Sequence, residues 1–383
     1  MSLSPPEDSS RRDFLLMPLI GLLTIAVICV SAELIARRYF YESATGLGTC
    51  LDDSDPSKGV RGRPNTVCRE KGMESDDVEY RLDSRGYRSA SELGPKESDV
   101  FRIVLIGSSV AMGERVRLDD SPAVLLAPRL SALTGRKIEV YNQGMAWGFA
   151  RNANLRFQDA IEAQPDLILW VVTPLDIARS EVTLARDGNT PPPAEGISYL
   201  KNAILQYIRR HGGDIVIGQV LRHYLYEFQS EDQFVRAALQ GQSPDDESGF
   251  LLVAQGPAWK KHWVDFQGHA RDMITRARAA GIPMAVAFAP NRVQAAMISA
   301  GEWPAGYDPY GVDSGLRRLI EADGGTFVEL LPSYRAVPGA EHFYLPLDGH
   351  PTAAGYAFMA EAIARQLTSG VIPALSARAA IGE

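Results

Sequence analysis

"FRIVLIGSSVAMGERV", residues 101–116, decides the fold. Its first half is a short apolar run without regular polar alternation, the pattern of a strand buried on both faces of a parallel sheet. The run stops at Gly107, passes through Ser108 and Ser109, and resumes at Val110 with helical character. Two readings of the serines compete. They are either a turn with a helix cap or a nucleophile held at the carboxyl edge of a parallel sheet, where α/β proteins collect their ligands.

Four similar runs follow, at 137–142, 166–172, 283–289 and 326–330. Helical spacing lies between them, as in "AVLLAPRLSALTG" (123–135) and "ANLRFQDAIEAQ" (153–164). The last helix, "TAAGYAFMAEAIARQL" (352–367), puts Phe358, Ala362 and Leu367 along one side. The alternation predicts an α/β fold with a doubly wound, mainly parallel five-stranded sheet and right-handed crossovers. One connection is too long for a simple crossover: about 110 residues separate the third and fourth strands. The stretch at 179–265 is read as a helical insertion capping the carboxyl edge of the sheet. A membrane-lying face is its functional alternative, because Arg209, Arg210 and Arg222 accompany Ile, Leu and Tyr at amphipathic spacing.

The N-terminus bounds the location. Residues 14–32 carry no charge and are flanked by Arg11, Arg12, Arg37 and Arg38. The run is long enough to cross the roughly 30 Å hydrocarbon core and exceeds the apolar region of about 7–15 residues usual in a cleaved signal peptide, the rival reading. An uncleaved anchor is expected, with the domain on the far side of the membrane. The chain then divides into a cytoplasmic tip and transmembrane helix (1–38), an irregular extracytoplasmic lead-in (39–98), the α/β domain (99–370) and a tail (371–383). Cys29 lies in the apolar run, which leaves Cys50 and Cys68 as the pair outside it. An even pair in a loop-rich stretch suits a disulfide in an oxidising compartment; two unrelated thiols are the alternative. The net charge of -8 gives no basic face for neutralising phosphates, so nucleic acid is not an expected partner.

The segments that follow each strand gather the polar residues at one edge. They are "YNQGMAWGFARN" (141–152), "TPLD" (173–176), "PNR" (290–292) and "LPLDGHPTAAG" (345–355). A Ser, a His and an Asp converging there is the arrangement acyl transfer needs. A hydroxyl is a weak nucleophile until an imidazole takes its proton and a carboxylate orients that imidazole. Glycine turns expose backbone amides that can hold the oxyanion. Other site motifs are missing: no Gly-Lys-Ser/Thr phosphate loop, no Gly-x-Ser-x-Gly elbow and no metal-ligand spacing among the histidines. No cofactor or metal is called for. His342 is a rival base without comparable surroundings.

These residues carry a resemblance. The stretch 78–367, interrupted by the insertion, resembles the SGNH/GDSL hydrolases. "IVLIGSSVAMG" is similar to the first family block with Ser109 in the nucleophile's place, and "LDGHPTAAGY" to the last, with Asp348 and His350 as acid and base. "VYNQGMAWG" is similar to the second block, which implies Gly148, with Gly144 in reserve, as an oxyanion donor. "YRLDSRGYR" resembles a lead-in found before this domain in surface-glycan proteins. The resemblance implies the flavodoxin-like SGNH fold and a serine esterase or O-acyltransferase. Its implied substrate is an ester, acetyl above all, on a carbohydrate or surface polysaccharide, and a polysaccharide assembly complex is an expected partner. The apolar run and the cysteine pair together give the expected location: the cell (inner) membrane, single-pass, with the domain in the periplasm or extracytoplasmic space.

Three departures from the family pattern are visible. Ser108 replaces the usual Asp before the nucleophile, which the resemblance tolerates because that carboxylate is not a triad member, and the Asp348-x-His350 spacing is one shorter than the commonest. Leu175 stands where the third block has an Asn that donates to the oxyanion, and losing one such donor typically costs about 2.7–4 kcal/mol. Thr173 or Asn142 would have to substitute. Otherwise the chain is a catalytically impaired carbohydrate-binding or assembly subunit, the alternative of a different class. Arg292 is the candidate contact for an anionic or hydroxyl-rich substrate.

Overall fold

The computed structural model describes residues 9–40, 46–182, 216–227, 229–240 and 249–376. The first element, α1 (Ser9–Phe40), contains the apolar run. Its portion Leu16–Phe40, 25 residues, is long and apolar enough to cross a membrane. Most of its large apolar side chains are exposed, which is unfavourable in water and natural in lipid. A membrane anchor and a signal sequence share these properties.

The lead-in is more ordered than expected. Strands β1 (Leu51–Asp52) and β2 (Arg61–Gly62) pair antiparallel, as do β3 (Val67–Lys71) and β4 (Asp77–Arg81). A disulfide joins Cys50 to Cys68 and ties the two pairs together. Strands β1 and β2, of two residues each, leave no alternation to be read, whereas β4 opens the stretch 78–88, whose sequence suits an extended piece. After β4 the chain turns on Asp83, whose carboxylate accepts the amides of Arg85 and Tyr87 and the Tyr141 hydroxyl. The buried Arg88 then donates to the carbonyls of Gly113 and Val116, bracing the turn that follows Ser109.

The sheet comprises β5 (Val100–Gly107), β6 (Lys137–Asn142), β7 (Leu167–Val172), β8 (Met284–Phe288) and β9 (Thr326–Val328). Its order is β6-β5-β7-β8-β9, and every pairing is parallel. All residues of β5, β7 and β8 are buried, which explains their continuous apolar runs. The fold expectation therefore holds. Short helices α2 (Ser109–Met112), α4 (Ala150–Leu155), α5 (Phe157–Glu162) and α6 (Pro174–Ala178) follow strand ends or fill crossovers. Longer ones are α3 (Pro122–Thr134), α7 (Val216–Glu227), α8 (Glu231–Leu239), α9 (Pro257–Ala279), α10 (Arg292–Ala300) and α11 (Gly311–Ala322). The chain closes with α12 (Leu331–Arg335) and α13 (Ala353–Gln366). Helix α13 packs on α3, while α9 packs on α4, α6 and α11. Trp170 of β7 stacks on Phe266 of α9 at 5.3 Å.

Residue 265, taken from the sequence as the end of the insertion, falls inside α9, which starts at Pro257 and leads directly into β8. The insertion's described helices before α9 are α7, α8 and the short turn Gly249–Leu251; its residues 183–215, 228 and 241–248 lie outside the described residues. Arg209 and Arg210 fall there. Helix α8 packs on α10, at the carboxyl end of β8.

Candidate active site

The chain leaves β5 toward β6 on one side and returns to β7 on the other, so the sheet's switch point lies at the carboxyl ends of β5 and β7. Open α/β sheets bind ligands in the crevice at such a point. Gly107 ends β5 there with φ 143, and a Cβ on it would meet the Val171 carbonyl at 2.5 Å. Only glycine lets the two strands close up before the turn. The next two residues diverge. Ser108 is buried and its hydroxyl lies 3.1 Å from the Asp176 carboxylate. Ser109 opens α2, and its Oγ lies 2.8 Å from His350 Nε2.

His350 reaches this place on a loop held from several directions. Its backbone carbonyl accepts the Leu345 amide, and the loop turns through Gly349 at φ 81. Beyond it, Thr352 caps α13 by accepting the Gly355 amide. His350 Nδ1 is hydrogen-bonded to Asp348 Oδ1, the other carboxylate oxygen of which meets Arg115 Nε at 2.9 Å. With Nδ1–H donating to Asp348, Nε2 is left as the acceptor of the Ser109 hydroxyl. The three residues singled out in the sequence are thus brought together in triad geometry.

Residues not singled out in the sequence complete the surroundings. Arg115, itself at φ 70, bridges Asp348 and Glu70 of β3. Glu114 is buried with one oxygen 3.9 Å from His350 Nε2. Glu74, in the β3–β4 turn, accepts the amides of Leu347 and Asp348 and meets His223 Nδ1 of α7 at 2.7 Å. The lead-in therefore clamps the His350 loop. No periodic signal marks Glu74; Glu114 and Arg115 sit in the opening stretch, where a charged pair after a short helix looks like an ordinary solvated turn.

Electrostatics follow from these contacts. Burial would raise the Asp348 carboxyl, but the His350 hydrogen bond and charge, helped by Arg115, hold it down at about 2. Burial alone would lower the His350 imidazole; the Glu114 charge and the Asp348 hydrogen bond outweigh it and hold His350 above its ordinary value. Glu114 is pushed up by its own burial, against the pull of His350 and Arg115. Burial likewise pushes Asp176 up to about 6, against hydrogen bonds from Thr173 and Ser108.

A cavity of about 220 Å³ opens over Ser109 and His350, walled by Leu175, Pro290, Asn291 and Tyr344. Thr173 lines it, but its hydroxyl and amide both point at Asp176, with which it forms the cap of α6. That hydroxyl is already committed, which corrects its reading as the substitute oxyanion donor. Asn142 is also corrected: its Nδ2 donates to Ala111 and Met112 carbonyls and its Oδ1 accepts the Gly144 amide. The amide of Gly144 is therefore occupied. That of Gly148 donates to the Met145 carbonyl, and a Cβ there would meet that oxygen at 2.6 Å. Gly148 serves a tight turn against the sheet, and neither glycine lines the cavity. Arg292 is buried, donates to the Pro346 carbonyl at 2.5 Å and lies over the Phe234 ring. It holds the His350 loop to α8 and does not reach into the cavity. His342 stands exposed beside Glu341, away from Ser109's contacts.

Comparison with protein-family models finds no match, and none is found among curated proteins. Solved structures do show similarity. TesA is 14% identical with a TM-score of 0.36, over 70% of this chain and 98% of its own. A putative GDSL-like lipase from Parabacteroides merdae is 13% identical with a TM-score of 0.38, over 73% and 100%. The lipase/acylhydrolase from Enterococcus faecalis is 12% identical with a TM-score of 0.38, over 70% and 94%. Likenesses of this size carry no functional conclusion. The chain's own sheet order and side-chain contacts define the class: a doubly wound α/β fold with a hydrogen-bonded Ser109–His350–Asp348 chain at its switch point.

Proposed function

We propose that the chain is an SGNH-type serine esterase or O-acyltransferase, anchored in the membrane by α1, with its domain outside the cytoplasm. The observation that carries this reading is the Ser109–His350–Asp348 chain of hydrogen bonds at the carboxyl edge of β5. Ser109 Oγ attacks an ester carbonyl while His350 Nε2 takes its proton, and Asp348 steadies the imidazolium that forms. The tetrahedral intermediate collapses as His350 returns the proton to the leaving alcohol oxygen. The acyl group stays on Ser109 until water or a second hydroxyl, deprotonated in turn by His350, removes it. The Ser109 amide, first in α2 and so without an acceptor inside the helix, is one oxyanion donor.

The substrate reading is finer. A cavity of about 220 Å³ has room for an acyl group from acetyl up to several carbons. A second hollow of about 620 Å³ adjoins it at Asp348, walled by Glu70, Glu74, Arg115 and Arg222. Its polar walls favour a hydroxyl-rich alcohol portion, which supports a carbohydrate ester. The Cys50–Cys68 disulfide and the exposed apolar α1 support an extracytoplasmic domain on an anchor.

Full-length protein in detergent, offered p-nitrophenyl acetate and a fluorophosphonate probe, tests the reading. Hydrolysis and labelling that both vanish in Ser109→Ala support it. Neither hydrolysis nor labelling in the parent chain overturns it in favour of a binding or assembly subunit, the reading that Leu175 favours.

A further inference from the structure

We infer that α7 lies in the interface of the same bilayer that α1 crosses, so that the site faces the membrane surface. The inference rests on the reading of α1 as an anchor. At 1.5 Å per residue the 25 residues Leu16–Phe40 span about 37 Å, more than the roughly 30 Å hydrocarbon core. The uncharged run ends at Ala32, and Glu33, Arg37 and Arg38 put the turns that follow at headgroup depth. Here α1 first meets the body of the protein: Ala36 is buried, and Ala32 and Glu33 are partly covered. Glu33 accepts the amides of Val216 and Ile217, the first two of α7, at 3.1 and 3.0 Å. Helix α7 thus begins at the depth where the hydrocarbon core ends.

Its two faces differ. Successive side chains rotate by roughly 100° around a helix, which brings Leu221, Tyr224 and Leu225 within about 100° of one another. They are 59%, 53% and 63% exposed, and Arg222 borders them. The opposite side holds Val216, which is buried, and His223, which binds Glu74. A stripe of two leucines and a tyrosine edged by an arginine is the composition of an interfacial helix, with Arg222 placed for anionic headgroups. On α1 beside it, Leu34, Ile35 and Tyr39 are exposed as well. Through His223 and Glu74 the helix is coupled to the amides of Leu347 and Asp348. The hollow beside Asp348, lined by Gln219 and Arg222 of α7, would then open toward membrane-bound substrate.

Site-directed spin labelling of the full chain in vesicles of phosphatidylethanolamine and phosphatidylglycerol tests this. In a Cys29→Ser background, labels are placed through Ile25→Cys on α1, Leu221→Cys or Leu225→Cys on α7, and Asp99→Cys at the amino edge of the sheet. Each label's accessibility to oxygen is compared with that to a water-soluble nickel chelate. At Leu221 and Leu225, oxygen access should exceed chelate access severalfold relative to the Asp99 label. A lipid-like signal at Ile25 with water-like signals at both α7 positions overturns the inference and leaves the anchor intact. A water-like signal at Ile25 overturns the anchor and this inference together.

Discussion

Ser108 and Ser109 are neighbours whose hydroxyls serve different partners: Ser108 Oγ meets Asp176 at 3.1 Å, and Ser109 Oγ meets His350 at 2.8 Å. The turn thus separates a supporting hydroxyl from a reactive one. Ser109→Ala should reduce ester hydrolysis by at least about a thousandfold and abolish probe labelling, because triad members act as a unit. The melting temperature should stay close to that of the parent, since a lost hydroxyl at a partly open site leaves no large cavity. Ser108→Ala should keep a measurable rate and lose about 1 kcal/mol of stability with its buried hydrogen bond. Equal rates in parent and Ser109→Ala, measured with p-nitrophenyl acetate, would refute the assignment.

The place of the turn was legible because β5 is buried on both faces and its apolar run ends abruptly at Gly107, whereas the choice of Ser109 over Ser108 rested on the resemblance. The same physics exposed β7 and β8 and, with them, the edge where Ser109, Asp348 and His350 meet. What a single sequence could not disclose was the direction of amides and guanidinium groups. Gly148 and Gly144 stand in the right loop, yet their N–H groups turn inward to Met145 and Asn142. Arg292 sits at the right strand end, yet its charge serves a carbonyl and an aromatic ring. Glu74 was hidden for another reason: its partners lie in the loop at 347–348, far along the chain, and no local pattern records a contact of that range.

The pH profile follows from Glu114. His350 works as a base only when neutral, and its imidazole is held above the ordinary value of 6.5 by the Glu114 charge and Asp348 against the effect of burial. Activity should therefore be full above that raised value and fall as pH drops through it. Glu114→Gln removes a negative charge 3.9 Å from Nε2, so the acid limb of kcat/KM should move to lower pH. An unmoved limb would mean that Glu114 is already protonated across this range.

The disulfide should hold the lead-in rather than the chemistry. Cys50 and Cys68 are 18 residues apart, and closing a loop of that size contributes about 3 kcal/mol in the chain-entropy model. Cys50→Ser with Cys68→Ser should lower the melting temperature by several degrees and increase proteolysis within 46–98. Esterase activity below the new transition should be retained in part, since Glu74 and Arg88 still brace the site. Two free thiols in protein isolated without reductant would contradict the bond itself.

The oxyanion hole poses the last question, because Leu175 cannot donate and neither Thr173 nor Asn142 is available. Asn291 lines the same cavity as Ser109 and His350. It caps α10 with its Oδ1, which accepts the Gln294 amide at 3.0 Å. The carbonyl oxygen is thereby fixed, and the Nδ2 group remains as a donor in the wall of the cavity. Asn291→Asp keeps the cap acceptor and removes the donor, so it separates chemistry from helix stability better than Asn291→Ala, which loses both. If Nδ2 holds the developing charge, Asn291→Asp should lower kcat by about a hundredfold or more with little change in melting temperature. Leu175→Asn supplies a donor from the first turn of α6 and should recover part of that loss in the Asn291→Asp background. A kcat unchanged by Asn291→Asp would leave the Ser109 amide without a side-chain partner and move the search to the Leu175 amide, second in α6 and also lacking an acceptor inside its helix.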